Sequence, residues 1–225
     1  MSYIPYSELK RLIDEYKEDS RVLRDDRIVI QNYPKVFTMS AASMFERNIK
    51  KKCEKFISNP KLPINPNYPN IMVMYKKSKP IEDQMFAKLQ GYDNNGIPCL
   101  SAKDFYDLFG GTTFKSSLQN NFSTEKTNYL SRIVQQMSSL EPLCDQDDQF
   151  LEHYIELDDL KVNLQNCNFV DAEESYLNIK LRRNRVAHDY INGLSDTFSD
   201  IRKFYEMALI YVVALENTID SLAVP

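Results

Sequence analysis

Apolar positions recur at helical spacing through most of the chain. Leu9, Leu12, Ile13 and Tyr16 share one face, with charged residues between them, and Ser7 can supply the capping oxygen. This predicts a first helix that continues through Val22 and Leu23 to about Arg27. Pro34 predicts a break, after which Phe37, Ala41, Ala42, Met44, Phe45, Ile49, Cys53 and Phe56 lay out a second helix. Its small residues Ser40, Ala41, Ala42 and Ser43 would let a neighbouring helix approach closely. Beyond Phe45 its polar positions turn cationic, at Arg47, Lys50, Lys51, Lys52 and Lys55. Positive charge is favourable toward a helix C-terminus, and the same side chains could help to hold phosphates.

Pro60, Pro63, Pro66 and Pro69 end that helix. Ile71 to Tyr75 is a short apolar run of either type. Ile81 to Gln90 has helical spacing, Asp93-Asn94-Asn95-Gly96 marks a turn, and a short helix capped by Ser101 stops at Gly110-Gly111. Residues 59–123 therefore read as an irregular insertion within a single domain spanning 1–225. From Thr124 the helical pattern returns, with Tyr129, Leu130, Ile133, Val134 and Met137 in one stripe up to Glu141-Pro142. A further helix is expected from about Asp147 to Asn166, through Phe150, Leu151, Tyr154, Leu157, Leu160 and Leu164. Asp171, with Glu174 at the capping-box position, opens a helix running through Tyr176, Leu177, Ile179 and Leu181 to His188 or beyond, closed by Asn192-Gly193. The last helix spans about Ser195 to Leu222, with Ile201, Phe204, Tyr205, Ala208, Tyr211, Val212, Leu215, Ile219 and Leu222 as its stripe. The expected fold is all-α, an up-down helical bundle with an irregular central insertion.

Composition sharpens this reading. Hydrophobic residues make up 43% of the 225 positions and charged residues 27%, enough for a packed core and too apolar for a disordered chain. Five glycines are few for a turn-rich all-β or α/β fold. The net charge of −4 argues against coating nucleic acid through bulk charge, but leaves room for a small basic site in an acidic body. The four cysteines, Cys53, Cys99, Cys144 and Cys167, are widely spaced and read as buried structural thiols. The N-terminus has no signal-peptide pattern, and no apolar run reaches the roughly 18 residues a membrane span needs. A cytoplasmic protein with no membrane association is expected.

The chain holds two histidines. His153 lies among Asp147, Asp148, Glu152 and Glu156 and reads as structural. His188 has different company: Lys180, Arg182, Arg183 and Arg185 precede it with no acid between Lys180 and Arg185, a local positive field. Asn184 and His188, four apart, share a helix face, and Arg185 flanks it. Arg183 lies about 140° round the helix from His188, so one helix converges them poorly. A second copy of the helix could complete the site, which predicts a homodimer with a composite active site. Metal-independent RNA cleavage uses the ribose 2′-OH as nucleophile and needs a group that moves protons near neutrality, as histidine does. It also needs a fixed cation on the phosphorane, where the arginine fork fits two oxygens. Arg183 and His188 are the candidate catalytic residues and Asn184 the polar helper. Lys180, Arg182 and Arg185 are candidates for holding flanking phosphates.

At these residues the chain resembles the HEPN superfamily (higher eukaryotes and prokaryotes nucleotide-binding domain). Arg183-Asn184-x-x-x-His188 matches its R-x4–6-H motif, with Asn after the Arg and Ala before the His as in a common variant. Met39-Ser40-Ala41-Ala42-Ser43-Met44-Phe45-Glu46 is similar to the second helix of many prokaryotic members, and Asp107-Leu108-Phe109-Gly110-Gly111-Thr112-Thr113-Phe114 to a loop of stand-alone ones. The resemblance implies a helical bundle that dimerises with its motifs face to face. It implies a metal-independent endoribonuclease leaving a 2′,3′-cyclic phosphate and a 5′-OH, acting as a toxin or phage-defence effector, with a cognate antitoxin or defence-system partner. The superfamily also holds non-catalytic modules that bind a nucleotide, RNA or a protein, and this is the alternative. A third reading is a helical adaptor whose arginines pair with acids such as Glu173 and Glu174. No cofactor or metal is expected: Cys and His never take zinc spacing, Asp145-Gln146-Asp147-Asp148 reads as a solvated loop capping the next helix, and Gly110-Gly111 lacks the Lys and Ser/Thr of a phosphate loop.

Overall fold

The computed structural model describes Arg11 and residues 27–58, 112–189 and 198–222. Among the described residues there is no strand; they form five α-helices and one 3-10 turn. These are α1 (Arg27–Ser58), α2 (Thr112–Leu140), the 3-10 turn Glu141–Leu143, α3 (Asp148–Asn166), α4 (Phe169–His188) and α5 (Phe198–Asp220). The all-α bundle read from the periodicity is the architecture observed. Arg11 is helical, but the rest of the expected first helix up to residue 26 lies outside the described residues, as do residues 59–111 of the expected insertion and Asn192-Gly193. No helix among the described residues is long and apolar enough to cross a membrane.

The helix α5 is the hub, packing against α4, α2 and α1. Its residues Ile201, Tyr205, Ala208, Leu209, Ile210, Tyr211, Val212, Ala214, Leu215 and Ile219 are all in the core, with Leu222 just past its end. It is the most apolar of the five, and its polar residues Glu206, Glu216 and Thr218 are buried with them. Around it, α1 contributes Phe37, Ala41, Ala42, Phe45 and Ile49, while α4 contributes Ala172, Tyr176 and Ile179. Ala41 and Ala42 are fully buried and Ser40 and Ser43 exposed, so half of the small-residue patch serves helix packing.

Aromatic rings run through this core as a connected chain. Phe37 meets Tyr205 edge-on at 5.3 Å, and Tyr205 stacks on Phe45 at 5.7 Å. Phe45 leads to Tyr176, which stacks on Tyr211 at 5.7 Å, and Tyr211 leads through Phe169 to Phe122. The chain thereby links α1, α5, α4 and α2. Lys52 at the far end of α1 pairs with Asp220 at the end of α5.

Three element boundaries differ from expectation. Pro34 does not break α1 but lies inside it. An interior proline costs roughly 3 kcal/mol or more, and the helix continues because the turns after it are anchored in the core. Thr38 Oγ1 also donates to the Pro34 carbonyl at 2.8 Å. Residues 112–123 are not irregular, because α2 begins at Thr112. Phe114, Leu118 and Phe122, spaced four apart, are its buried face, diluted in the sequence by Ser, Gln and Asn. In the expected stripe further along, Ile133 and Met137 are buried but Val134 is half exposed.

The third difference is the start of α4. Asn168 is the cap, its Oδ1 accepting from the backbone N–H of Val170 and Asp171 at 2.8 and 3.0 Å. Asp171 returns the favour by accepting from the Asn168 N–H, so it is the capping-box residue and not the cap. Because Asn168 is exposed, Asn168→Ala removes the cap without opening a cavity. It should cost about 1 kcal/mol, read by urea denaturation, while Asn168→Asp keeps an acceptor and should lose far less. Asp147 caps α3 through the N–H of Gln149, the role expected of that acidic loop.

Candidate functional site

The second half of α4 carries the candidate catalytic residues Arg183, Asn184 and His188 and the phosphate-binding candidates Lys180, Arg182 and Arg185. Its core face is set by Ala172, Tyr176, Ile179 and Val186. Lys180 falls on that face, four residues after Tyr176, and is fully buried. Its ammonium lies 3.1 Å from Glu46 Oε1 of α1 and 5.7 Å over the Tyr176 ring. Burial pulls the Lys180 pKa down to about 8, against the charge and hydrogen bond of Glu46, which raise it. Lys180 is the phosphate-binding candidate the structure places inside: its ammonium points at the half-buried Glu46 carboxylate and is shut off from solvent.

Arg183 lies three residues further along the same face. Its Nη2 donates to the same Glu46 Oε1 at 2.6 Å. Its Nε has no hydrogen-bond partner among the described residues. One carboxylate therefore faces two cations, and the cluster carries a net charge of −1 + 2 = +1 with all three ionised. The side chain of Arg183 is 24% exposed, so it is held from one side and open on another.

Arg182 turns toward α5. Its guanidinium sits 4.4 Å from the Phe204 ring centroid and donates to Asn178 Oδ1 at 3.3 Å. That cation–π contact fixes the guanidinium against the bundle, although it was expected to bind a phosphate. Asn184, Arg185 and His188 are different. Their side chains make no hydrogen bond or ion pair among the described residues. Asn184 is half-buried, and Arg185 and His188 are exposed. His188 is the last residue of the helix, and the Asp189 N–H closes the turn on the Arg185 carbonyl at 2.8 Å. Cations at this end gain from the helix dipole.

The structure thus brings Lys180, Arg183 and Glu46 together, and leaves Asn184, Arg185 and His188 presented outward one turn away. No hydrogen bond or ion pair among the described residues joins Arg183 to His188, as their angular separation on one helix implies. Glu46 is the residue that sequence reasoning missed as a site member. Two signals pointed to it: Lys180 occupies a core position of α4, and Glu46 follows Phe45 directly on α1. A lysine on a core stripe needs an acid from another element.

Other candidate chemistry is quiet. Among the described residues no His, Cys, Asp and Glu gather as a metal site. Cys144 and Cys167 are free thiols. Burial first, and then the Asp171 charge, push the Cys167 thiol up to about 11, which suits the structural role expected of it. His153 is half-buried on α3. Of the cationic run on α1, Arg47 and Lys51 are exposed and Lys52 is paired with Asp220; the side chains of Lys50 and Lys55 lie outside the described residues. No family model, no characterised protein and no solved structure matches the chain.

Proposed function

We propose that the protein is a metal-independent endoribonuclease of HEPN type, acting in the cytoplasm as a toxin or phage-defence effector. The observation that carries this reading is the end of α4. Asn184, Arg185 and His188 have no hydrogen bond or ion pair from their side chains among the described residues and reach solvent beside an arginine already held by Glu46. His188 moves protons between the ribose 2′-OH and the leaving 5′-oxygen, and Arg183 stabilises the charge that builds on the phosphorane. Asn184 orients one or the other, and Arg185 holds a flanking phosphate. Glu46 acts as a positioning residue by fixing the Arg183 fork. Because Arg183 and His188 diverge on one helix, the working site pairs them across the two-fold axis of a homodimer. A cognate antitoxin or defence-system partner would control it.

The test is purified full-length protein with tRNA, mRNA and rRNA in EDTA. Cleavage should leave 2′,3′-cyclic phosphate ends, and His188→Ala and Arg183→Ala should each lower the rate by about a hundredfold or more. Mixing the two variants should restore activity in hybrid dimers, because one intact Arg183 then faces one intact His188. Absence of cleavage on all three RNA classes would falsify the nuclease reading.

One observation favours a second reading, a non-catalytic module binding a nucleotide, RNA or protein partner. Glu46 already neutralises part of the Arg183 charge, as a structural ion pair would. That reading expects saturable ligand binding lost on Arg185→Ala, with no turnover and no toxicity on overexpression.

A further inference from the structure

Away from the cations of α4, a cavity of about 260 Å³ opens between α3 and α5. Leu160, Leu164 and Met207 give it an apolar wall, and Glu206 lines it from α5. Glu206 is almost fully buried, with 1% exposure. The Tyr129 hydroxyl from α2 donates to its Oε2, whereas its Oε1 has no hydrogen-bond partner among the described residues. A buried carboxylate oxygen without a donor is costly, and Glu206 forms part of the cavity lining. The more exposed wall carries Glu156 and Asp159 from α3 and Arg202 from α5. Arg202 is itself engaged by Glu156, at 3.7 Å from the carboxylate and 3.3 Å from the backbone carbonyl.

Charge decides the class of ligand. Three carboxylates (Glu156, Asp159, Glu206) against one guanidinium give −3 + 1 = −2 with all groups ionised. That selects a cation carrying N–H donors. An apolar wall between an inner and an outer carboxylate selects two such groups on a methylene chain. The volume equals nearly nine waters at roughly 30 Å³ each, ample for a four-carbon chain with an amine at either end. We propose that this cavity is a binding site for a short aliphatic diamine, with one ammonium donating to Glu206 Oε1 and the other facing Glu156 and Asp159.

Burial pushes the Glu206 carboxyl up to about 7, against the Tyr129 hydrogen bond and the Arg202 charge, which lower it. Facing it are Tyr129 from α2, Glu156 and Asp159 from α3, and Arg202 from its own helix. An ammonium binds the ionised carboxylate, so affinity rises between about pH 6 and about pH 8 and binding releases a proton.

Calorimetry of the full-length protein with 1,4-diaminobutane tests this, with 1,4-butanediol as the uncharged isostere. Saturable one-to-one binding of the diamine near pH 8, weaker near pH 6 and absent for the diol, is the expected result. Glu206→Gln should weaken it by about thirtyfold or more. Asp159→Asn, on the exposed wall, should weaken it by about tenfold without touching the core. No diamine binding at either pH, equal binding of the diol, or affinity unchanged in both variants overturns the proposal. Should Glu206→Gln fail to fold, Asp159→Asn alone decides.

Discussion

Glu46→Ala should be among the most destabilising single changes to this protein, by roughly 3–5 kcal/mol. The Glu46 carboxylate is the partner of both Lys180 and Arg183, and Lys180 is fully buried. Arg183 can swing toward water when its partner is removed; Lys180 cannot. A buried ammonium with no counter-charge pays its desolvation in full. The pH dependence identifies the source. In the folded wild type the Lys180 pKa is already down at about 8 from an ordinary value of 10.5. A lysine whose folded pKa is depressed destabilises the fold most at low pH, where it is charged in both states. That penalty is relieved as pH rises through the folded pKa, because the unfolded chain then holds the extra proton. Without Glu46 the folded pKa falls further, so relief begins at lower pH. The deficit of Glu46→Ala against wild type should therefore shrink between about pH 6 and about pH 8 in urea titrations and stay level above that. In a Lys180→Met background, Glu46→Ala should cost much less, and the double-mutant cycle reads the coupling directly. A deficit that is the same at both pH values and in both backgrounds would rule out Lys180 as its source.

Tyr205→Ala should cost roughly 3–5 kcal/mol through the hole it leaves. Tyr205 is fully buried where α1 meets α5, stacked on Phe45 and edge-on to Phe37. Removing its ring breaks the aromatic chain at the link between these helices, and Phe45 cannot fill the gap without leaving Tyr176. Tyr205→Phe keeps the ring and isolates the hydroxyl, so it should lose only a small part of this. Comparable losses for the two would mean that the hydroxyl, and not packing, dominates. For a domain with about 5–15 kcal/mol of total stability, the loss is at least about a fifth of the whole, read as a lowered urea midpoint.

Local periodicity was enough to read α3, α4 and α5 as helices, although in the α3 stripe Leu157, Leu160 and Leu164 are buried while Phe150 and Leu151 are exposed. All of the α5 stripe is buried except Phe204, which is half-buried against Arg182. The readings that failed did so where a local rule met a distant partner. Pro34 is a helix breaker by its own chemistry, and only the packing of the turns after it carries the helix through. Phe114, Leu118 and Phe122 keep perfect four-residue spacing, but the polar run between them hid it. In the candidate site, residue type and spacing marked Arg183, Asn184 and His188. They could not separate an exposed cation from a buried one, so Lys180 and Arg182 were grouped with Arg185. The distinction is made by Glu46 and Phe204, which are remote in sequence or lie on another helix. Lys180 did carry a hint, since Tyr176, Lys180 and Arg183 repeat at the core spacing of α4.

The hub position of α5 bears on how the chain is made. Of the described helices, α5 leaves the ribosome last, and α1, α2 and α4 all pack on it. At about 5–20 residues per second, α1 waits many seconds with Phe37 and Phe45 lacking their Tyr205 partner. A nascent chain stalled before residue 198 would display those rings to solvent and to chaperones. The packing of α1, α2 and α4 on α5 therefore forms only once synthesis has passed through α5, and whatever chemistry α4 performs waits on the same step.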